Sequence, residues 1–578
     1  MSTQDPKSTP ASAAAAAAAA PAPAAPAKPA PKNPGFVTFS MDGKEIVAKP
    51  GTNMIEAARE NGLDIPFYCY HPRLSIAANC RMCLVEASNA PKLVPACQTP
   101  IAEGIAVQTQ NTKVRESQRA VMEFLLLNHP VDCAICDQAG ECKLQDYYMR
   151  YDHRPSRLEG RKVQKDKRKV LGPTVVLDQE RCILCTRCVR FMDEVAKEPQ
   201  LGVFGRGSHE VIDTFPGQAL SSNYAGNTVD ICPVGALLNR DFRFRARSWF
   251  LSAAPSVCTG CSRGCSIFAD FMGQDTYRYR PRENDAVNKG WMCDQGRASY
   301  KSLNTGRILN ARIGRGAEAH EATGAEALDW LMPKLKEAKK VAVAVSPLAS
   351  NEDLLAALSF AKQGLRVSEV YVTGRTAGQA DHFLMTADKN PNRKGLEWIA
   401  KAMGLALRTF DELDKALRAN SFGALYMVGA EVPADAAALA NHLASLELLA
   451  IQATNDSPLL AHADVVLPAS THVEDDGSFT NLDGLTQRFR RAYPVRGDSA
   501  PHWRWASELS RRMLGAQGFS SARDVFRAHA PAVSELAAFA WDASAPAIPK
   551  KGISTMTAAA DGRVPGYREV GVPRVRGI

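Results

Sequence analysis

The sequence predicts a multidomain α/β protein in which small cysteine-bearing modules come first and a doubly wound sheet domain follows. Three observations predict it. All 15 cysteines lie between Cys69 and Cys293, in four groups that each contain a C-x2-C pair. A hairpin-and-helix pattern precedes the first group. From about Lys339, apolar strands alternate with amphipathic helices.

Residues 1–34 are mostly Ala, Pro, Ser and Lys, with alanine at every position from Ala13 to Ala20. A secretory signal needs a basic start and a Leu-rich core, and this segment has neither. It reads as a flexible, disordered extension. Residues 35–112 read as one module. Phe36–Ser40, an Asp42-Gly43 turn and Lys44–Ala48 make a hairpin. A helix from about Asn53 to Asn61 closes on Gly62. Next come Cys69, Cys80, Cys83 and Cys97, spaced C-x10-C-x2-C-x13-C. Hairpin, helix and cysteine loop is the order of a β-grasp ferredoxin, and four thiolates satisfy a [2Fe–2S] cluster. The spacing departs from the plant-type ferredoxin pattern. Four-cysteine zinc also uses a C-x2-C pair, but the β-grasp setting favours the cluster.

Residues 113–150 form the second module: a helix over Val114–Leu127, ending at Asn128-His129-Pro130, and then Cys133, Cys136 and Cys142. Three cysteines leave a [4Fe–4S] cubane one ligand short, and His129 stands where the fourth is needed. A histidine before a proline is more often a cap or a surface residue; beside three cysteines it reads as a ligand. Neutral imidazole in place of anionic thiolate should raise the cluster potential, as histidine does in Rieske centres.

Residues 151–250 carry Cys182, Cys185 and Cys188 in RCILCTRC, with Cys232 downstream in ICPVGAL. In two-cluster ferredoxins the cysteine before proline serves the other cluster. No second set of three cysteines precedes Cys232, so these four read as one [4Fe–4S] site in a ferredoxin-like domain. Arg181, Arg187 and Arg190 either offset the cluster's charge or form a plain exposed face. Residues 251–305 hold Cys258, Cys261, Cys265 and Cys293, a further [4Fe–4S] set with a zinc ribbon as the alternative. The four groups use every cysteine, and His129 fills the one vacancy.

Residues 306–545 change texture. Val341–Val345, Val367–Val372, Leu425–Val428, Leu448–Ile451 and Val465–Leu467 read as strands, with helices at Asn351–Gln363 and Ala434–Leu446 between them. Neither G-x-G-x-x-G nor G-x-x-x-x-G-K-[ST] occurs, so no dinucleotide or nucleoside triphosphate site is indicated. Residues 546–578 form a basic tail punctuated by Pro and Gly. The net charge is +9. Its densest basic stretch, Arg150 to Lys169, is broken by Asp152, Glu159 and Asp166. It reads as a linker or a docking surface for an acidic partner in preference to a nucleic-acid patch. No apolar run approaches the roughly eighteen residues of a membrane helix. No catalytic residue is indicated.

The ordered motifs HPVDCAICDQAGEC, RCILCTRC with ICPVGAL, and CTGCSRGC with GWMCDQGR follow the CRMC loop. Together they resemble the large iron–sulfur subunit of respiratory complex I, NADH:quinone oxidoreductase, closely over residues 35–305. The α/β half resembles a shortened molybdopterin-oxidoreductase domain, most recognisably in ADVVLPASTHVEDDGSFTN. The resemblance implies one [2Fe–2S] and three [4Fe–4S] clusters, with neither flavin nor molybdenum on this chain. It implies electron relay from a flavin- and NADH-binding subunit, alongside small iron–sulfur subunits, toward quinone-site subunits. It places the protein peripherally on the cytoplasmic face of a bacterial inner membrane, with no nucleic-acid partner and no membrane insertion. The Cys258–Cys293 cluster, found in only some bacterial members, is implied to lie off the main route.

Three other readings compete. An NAD-linked formate dehydrogenase would need a second ferredoxin cubane and a soft molybdenum ligand, and an iron-only hydrogenase would need cysteines after Cys293. A non-redox zinc scaffold would carry no iron or sulfide.

Overall fold

The computed structural model describes residues 35–433 and 439–542. The chain divides into two compact units, one of residues up to 66 with 83–117, the other of 67–82 with 118 onward. The extensions 1–34 and 546–578 lie outside the described residues, as does the start of the helix expected at Ala434.

In the first unit, β1 (Val37–Met41) and β2 (Lys44–Ala48) pair antiparallel around Asp42 and Gly43, both at positive φ, as a two-residue turn of this kind requires. Helix α1 (Met54–Glu60) is capped by Asn53, whose side chain accepts from the Glu56 amide. Strands β3 (Leu84–Ala87), β4 (Val94–Pro95) and β5 (Ala106–Gln108) complete a sheet of order β2-β1-β5-β3-β4, with β1 and β5 parallel. That parallel central pair flanked by hairpins is the β-grasp arrangement expected from sequence. Helix α2 (Thr112–Asn128) leads out of this unit into the second.

The second unit begins its cysteine-bearing half with α3 (Lys143–Tyr151) and a three-stranded sheet of β6 (Lys169–Val170), β7 (Val175–Leu177) and a later strand. Then follow α4 (Arg187–Arg190), the β8 (Leu201–Phe204) and β9 (Val211–Thr214) hairpin, α5 (Gly226–Asp230) and β10 (Leu237–Asn239), which closes that sheet. A meander of β11 (Ser252–Val257), β12 (Ser266–Met272) and β13 (Asp275–Pro281) precedes α6 (Asp294–Ala298) and α7 (Lys301–Asn304).

The C-terminal half is an eight-stranded sheet. It comprises β14 (Ala311–Ile313), β15 (His320–Ala322), β16 (Val341–Val345), β17 (Glu369–Val372), β18 (Ala406–Arg408), β19 (Ala424–Val428), β20 (Leu448–Ala453) and β21 (Val465–Pro468). Its helices are α8 (Gly324–Glu337), α9 (Asn351–Gln363), α10 (Arg393–Ala402), α11 (Phe410–Arg418) and α12 (Ala440–Leu443). A hairpin of β22 (Gly477–Thr480) and β23 (Thr486–Phe489) and the helices α13 (His502–Leu514), α14 (Ala522–His529) and α15 (Ser534–Ala537) follow among the described residues. The strand order β18-β17-β16-β19-β20-β21 is all parallel, with β14 and β15 added antiparallel at one edge. This is the doubly wound order, reversing between β16 and β19. Every residue of β19 and β20 is buried, because helices cover both faces. Helices α8, α9 and α11 each start on a capping box: Thr323 with Glu326, Ser350 with Asp353, and Thr409 with Glu412. Strand β17 is shorter than expected, since α9 runs through Gln363 and the chain needs residues 364–368 to turn back.

Candidate metal centres

The second unit gathers three sulfur cages. In the first, the C-terminus of α2 delivers His129, and the loop before α3 delivers Cys133, Cys136 and Cys142. All four line one pocket. The His129 Nδ1 is buried and has no hydrogen-bond partner. A buried imidazole nitrogen left empty normally costs about 1–3 kcal/mol, so its position fits a nitrogen reserved for iron. Burial also drives the His129 pKa down to about 4, which keeps the ring neutral and able to ligate. Burial pushes the Cys142 thiol up to about 12 and the Cys136 thiol up as well. The amides of Leu144 and Gln145 face the Cys142 sulfur.

The second cage holds Cys182, Cys185, Cys188 and Cys232; burial pushes all four thiols up, and the charges of Cys185 and Cys232 add to the rise at Cys182 and Cys188. Leu184 and Thr186, between the ligands, sit at φ 54° and 58°. That left-handed backbone costs non-glycine residues energy, and it winds the C-x2-C-x2-C run around a common centre. The amides of Val234, Ala236 and Leu237 face the Cys232 sulfur. Such N–H···S contacts are among the levers that set a cluster's potential. Arg181 and Arg187 are buried and Arg190 is half-buried, so the three do not form a plain exposed face. Arg181 pairs with Asp178 at 3.1 Å and Asp132 at 3.1 Å, and Arg187 donates to the Ile231 and Tyr70 carbonyls. Arg187 bears its charge beside Cys185 and Cys232.

The third cage brings Cys258, Cys261, Cys265 and Cys293 around one pocket, all four buried. The amides of Gly260 and Gly296 donate to the Cys258 and Cys293 sulfurs at 3.4 and 3.3 Å. A Cβ on Gly296 would stand 3.0 Å from the Cys258 sulfur. Leu384 and Met385 reach over this pocket from the loop after β17. Among the described residues no three His, Cys, Asp or Glu side chains close tightly enough to hold a single ion. The thiols of the first and third cages stand around pockets, and soft sulfur donors at this spacing fit iron–sulfur clusters.

Of the first cysteine group, Cys69 and Cys80 fall in the second unit, Cys83 and Cys97 in the first. A hydrogen bond from Cys80 draws the Cys69 thiol below its usual value. Arg190 donates to the Cys69 carbonyl at 2.6 Å.

Several residues at these cages were not singled out from sequence. A Cβ on Gly235 would lie 2.2 Å from the Cys136 sulfur, so only glycine fits there. The glycines of ICPVGAL and CDQGR were visible beside cysteines and could have been read as close-approach positions; Leu384 and Met385 left no such signal. Arg278 joins Glu141, at 3.0 Å, to Asp270, at 2.7 Å, and Arg297 holds Asp230 at 2.5 Å. These partly buried pairs tie the loops of all three cages to one framework. The basic stretch after Arg150 is also paired: Arg157 with Glu123, Lys167 with Asp132, and Lys169 with Asp213. Lys162 donates to the last carbonyls of α2, at Leu126 and Leu127.

At the carboxyl ends of the parallel strands a separate cavity is lined by Ser346, Asp353, Glu431, Asp475 and Asp476, with Arg375 the one arginine. This donor set does not fit a pterin pyrophosphate cofactor. Carboxylates repel its phosphates, no thiol is present for a soft metal, and Gly429 packs against Ser346 where the strand order reverses.

Fold and cages together define an iron–sulfur protein with [2Fe–2S] and [4Fe–4S] binding domains and a molybdopterin-oxidoreductase-like α/β domain. Family models agree: a 2Fe-2S iron–sulfur cluster binding domain matches residues 36–112, and the NADH-ubiquinone oxidoreductase-G iron–sulfur binding region matches 118–157. The ferredoxin-like domain of NADH-quinone oxidoreductase subunit 3 matches 172–238. The molybdopterin oxidoreductase Fe4S4 domain and molybdopterin oxidoreductase models match 251–305 and 330–512. Over about half of its length the chain is similar to the G-type subunit of NADH-quinone oxidoreductase. It is 39% identical to the Rickettsia felis form of that subunit over 319 residues, 55% of this chain and 47% of the relative. It is 38% identical to the NADH-ubiquinone oxidoreductase 75 kDa subunit of Reclinomonas americana, over 59% of this chain and 49% of the relative. With the mitochondrial 78 kDa subunit of Neurospora crassa it shares 41% identity, over 51% and 40%. The chain thus spans about half the length of the curated relatives it matches.

Proposed function

We propose that this chain is the electron-transfer subunit of an NADH:quinone oxidoreductase. It would take electrons from a flavin- and NADH-binding subunit and pass them, with small iron–sulfur subunits, toward the quinone-site subunits. The ligand sets are Cys69, Cys80, Cys83 and Cys97 for one [2Fe–2S] cluster, and three [4Fe–4S] sets. Those are His129 with Cys133, Cys136 and Cys142; Cys182, Cys185, Cys188 and Cys232; and Cys258, Cys261, Cys265 and Cys293. When bound, the clusters supply one-electron redox chemistry; the chain's residues hold them apart, keep water out and temper their charge. The observation that carries the reading is the orphaned His129 Nδ1 in a pocket shared with three cysteines. Among the described residues no helix is long and apolar enough to cross a membrane. A peripheral place on the cytoplasmic face of a bacterial inner membrane suits this reading.

Purified protein should carry about fourteen iron atoms per chain, and low-temperature EPR of the reduced complex should resolve one binuclear and three tetranuclear signals. The isolated chain should oxidise no NADH, because the hydride step needs a flavin on a partner. A zinc content matching the cysteine sets, or NADH turnover by the flavin-free chain, would overturn the assignment.

A further inference from the structure

The connection from β17 to α10 is out of proportion to its neighbours in the sheet. It takes residues 373–392, with neither helix nor strand among them. By contrast, β16 reaches α9 across residues 346–350, and β18 reaches α11 through Thr409 alone. Strand-to-helix loops in such domains usually take about two to six residues, and much longer ones without structure of their own are commonly lids or binding loops.

The extra length is not slack. The segment doubles back on itself, Gly378 donating to the Ala387 carbonyl at 2.8 Å and Asp381 to that of Met385 at 3.0 Å. At its tip the Asp381 carboxylate accepts from the amides of Phe383, Leu384 and Met385, at 2.9, 3.0 and 3.0 Å. Tyr224, from the cysteine-bearing half, donates its hydroxyl to the same carboxylate at 2.6 Å and accepts from the Leu384 amide at 3.0 Å. The Tyr224 ring is buried and lies 5.0 Å from that of Phe383.

Both stems of this strap are also tied to the ligand loop CTGCSRGC. Arg375 donates to the Thr259 carbonyl at 2.7 Å, and the Ser262 amide donates to the Asp388 carbonyl at 2.9 Å. Arg263 donates to the Leu384 carbonyl at 3.3 Å. What these bonds hold in place is apolar, the Leu384 and Met385 side chains over the third cage. None of the four cysteines there is exposed by more than 8%, whereas Cys133 of the first cage is exposed and Cys182 and Cys232 of the second are half-buried. A loop serving only to join β17 to α10 would need neither Tyr224 nor the ties to the ligand loop. A polar frame that presses large apolar side chains onto sulfur controls what reaches the site from solvent.

We propose that residues 373–392 are a fixed cover that keeps dioxygen from the Cys258–Cys293 cluster. The proposal deepens the electron-transfer reading above and rests on it. Dioxygen is a diffusible one-electron acceptor that needs no docking site, only access. In the reaction the cover prevents, one electron leaves the reduced cluster and converts dioxygen to superoxide, with no bond broken and no proton required. A cluster off the main route has no fast acceptor, so it stays reduced for longer and gives such a leak more time.

The test uses the full chain in its native complex, reduced anaerobically and then placed in aerated buffer, with EPR read at intervals and superoxide trapped. Two uncharged changes loosen the cover in different ways. Tyr224→Phe removes the hydroxyl that holds Asp381 and Leu384; Leu384→Ala with Met385→Ala thins the cover and leaves those bonds in place. Before air, each should show every cluster signal at wild-type intensity. After air, the Cys258–Cys293 signal should decay about tenfold faster than in wild type, the factor that one lost buried hydrogen bond lends to a local opening. Superoxide should rise in step, and the other signals should decay at their wild-type rates. Should Tyr224→Phe assemble poorly, the paired change decides alone. A decay indifferent to these changes, or an acceleration shared by all the clusters, would overturn the cover. Absence of the Cys258–Cys293 signal from the unaltered complex before air enters would instead overturn the four-cluster reading, and the proposal with it.

Discussion

At the scale of single residues, His129 decides the most. Arithmetic on the sequence reached it, since three cysteines needed a fourth donor and one histidine stood in range. What the sequence could not supply was the vacancy at its Nδ1, which depends on which groups fold against the ring. His129→Ala should lose or convert one cubane while the other EPR signals stay in place. His129→Cys should retain the cubane but lower its potential, because a thiolate adds a negative charge where imidazole adds none. Redox titration followed by EPR would separate the two, and unchanged signals and potentials in both variants would remove His129 from the ligand set. Arg187 shows the opposite kind of legibility. Its place among the ligands was plain, but whether it faced solvent or sulfur turned on burial, and the carbonyls that hold it lie far away in the chain.

At the scale of elements, strands and capping boxes were the easiest features to read. A continuous apolar run such as Ala424–Val428 has few alternatives to a covered parallel strand. The polar wiring between elements was not readable, and Glu352 on α9 is the clearest case. It is fully buried, accepts from the Ser478 amide at 2.8 Å and from Trp541 at 3.0 Å, and ties α9 to β22 and to Trp541 beyond α15. Burial raises its pKa from 4.5 to about 7. A carboxyl raised on folding binds its proton more tightly in the folded state. Its contribution is therefore fully present below pH 4.5 and declines as pH rises toward 7. Glu352→Gln should flatten that part of the stability–pH curve. Thermal melts of wild type and variant at about pH 5.5 and about pH 8 would show it, the wild type losing more between the two. Equal slopes would mean that Glu352 is charged in the folded protein.

At the scale of the whole molecule, the alternation of strands and helices after Lys339 announced a doubly wound sheet. The reversal between β16 and β19 could not be seen, because strand order is a property of tertiary pairing. A ligand crevice opens at such a reversal in many proteins, and here carboxylates crowd it. We expect no stoichiometric molybdenum or tungsten by elemental analysis of the purified chain, and no pterin fluorescence after acid oxidation. Either one, near one per chain, would revive the formate-dehydrogenase reading.

Gly235 sits three positions after Cys232, a ligand of one cage, and its backbone touches the sulfur of Cys136, a ligand of another. The two cages therefore share a wall one peptide thick. Neither loop can gain a methyl group there unless the other gives way, so their sequences are not free to drift apart. Random mutation would find this position closed, and a lineage could open it only by paired changes on both sides of the wall.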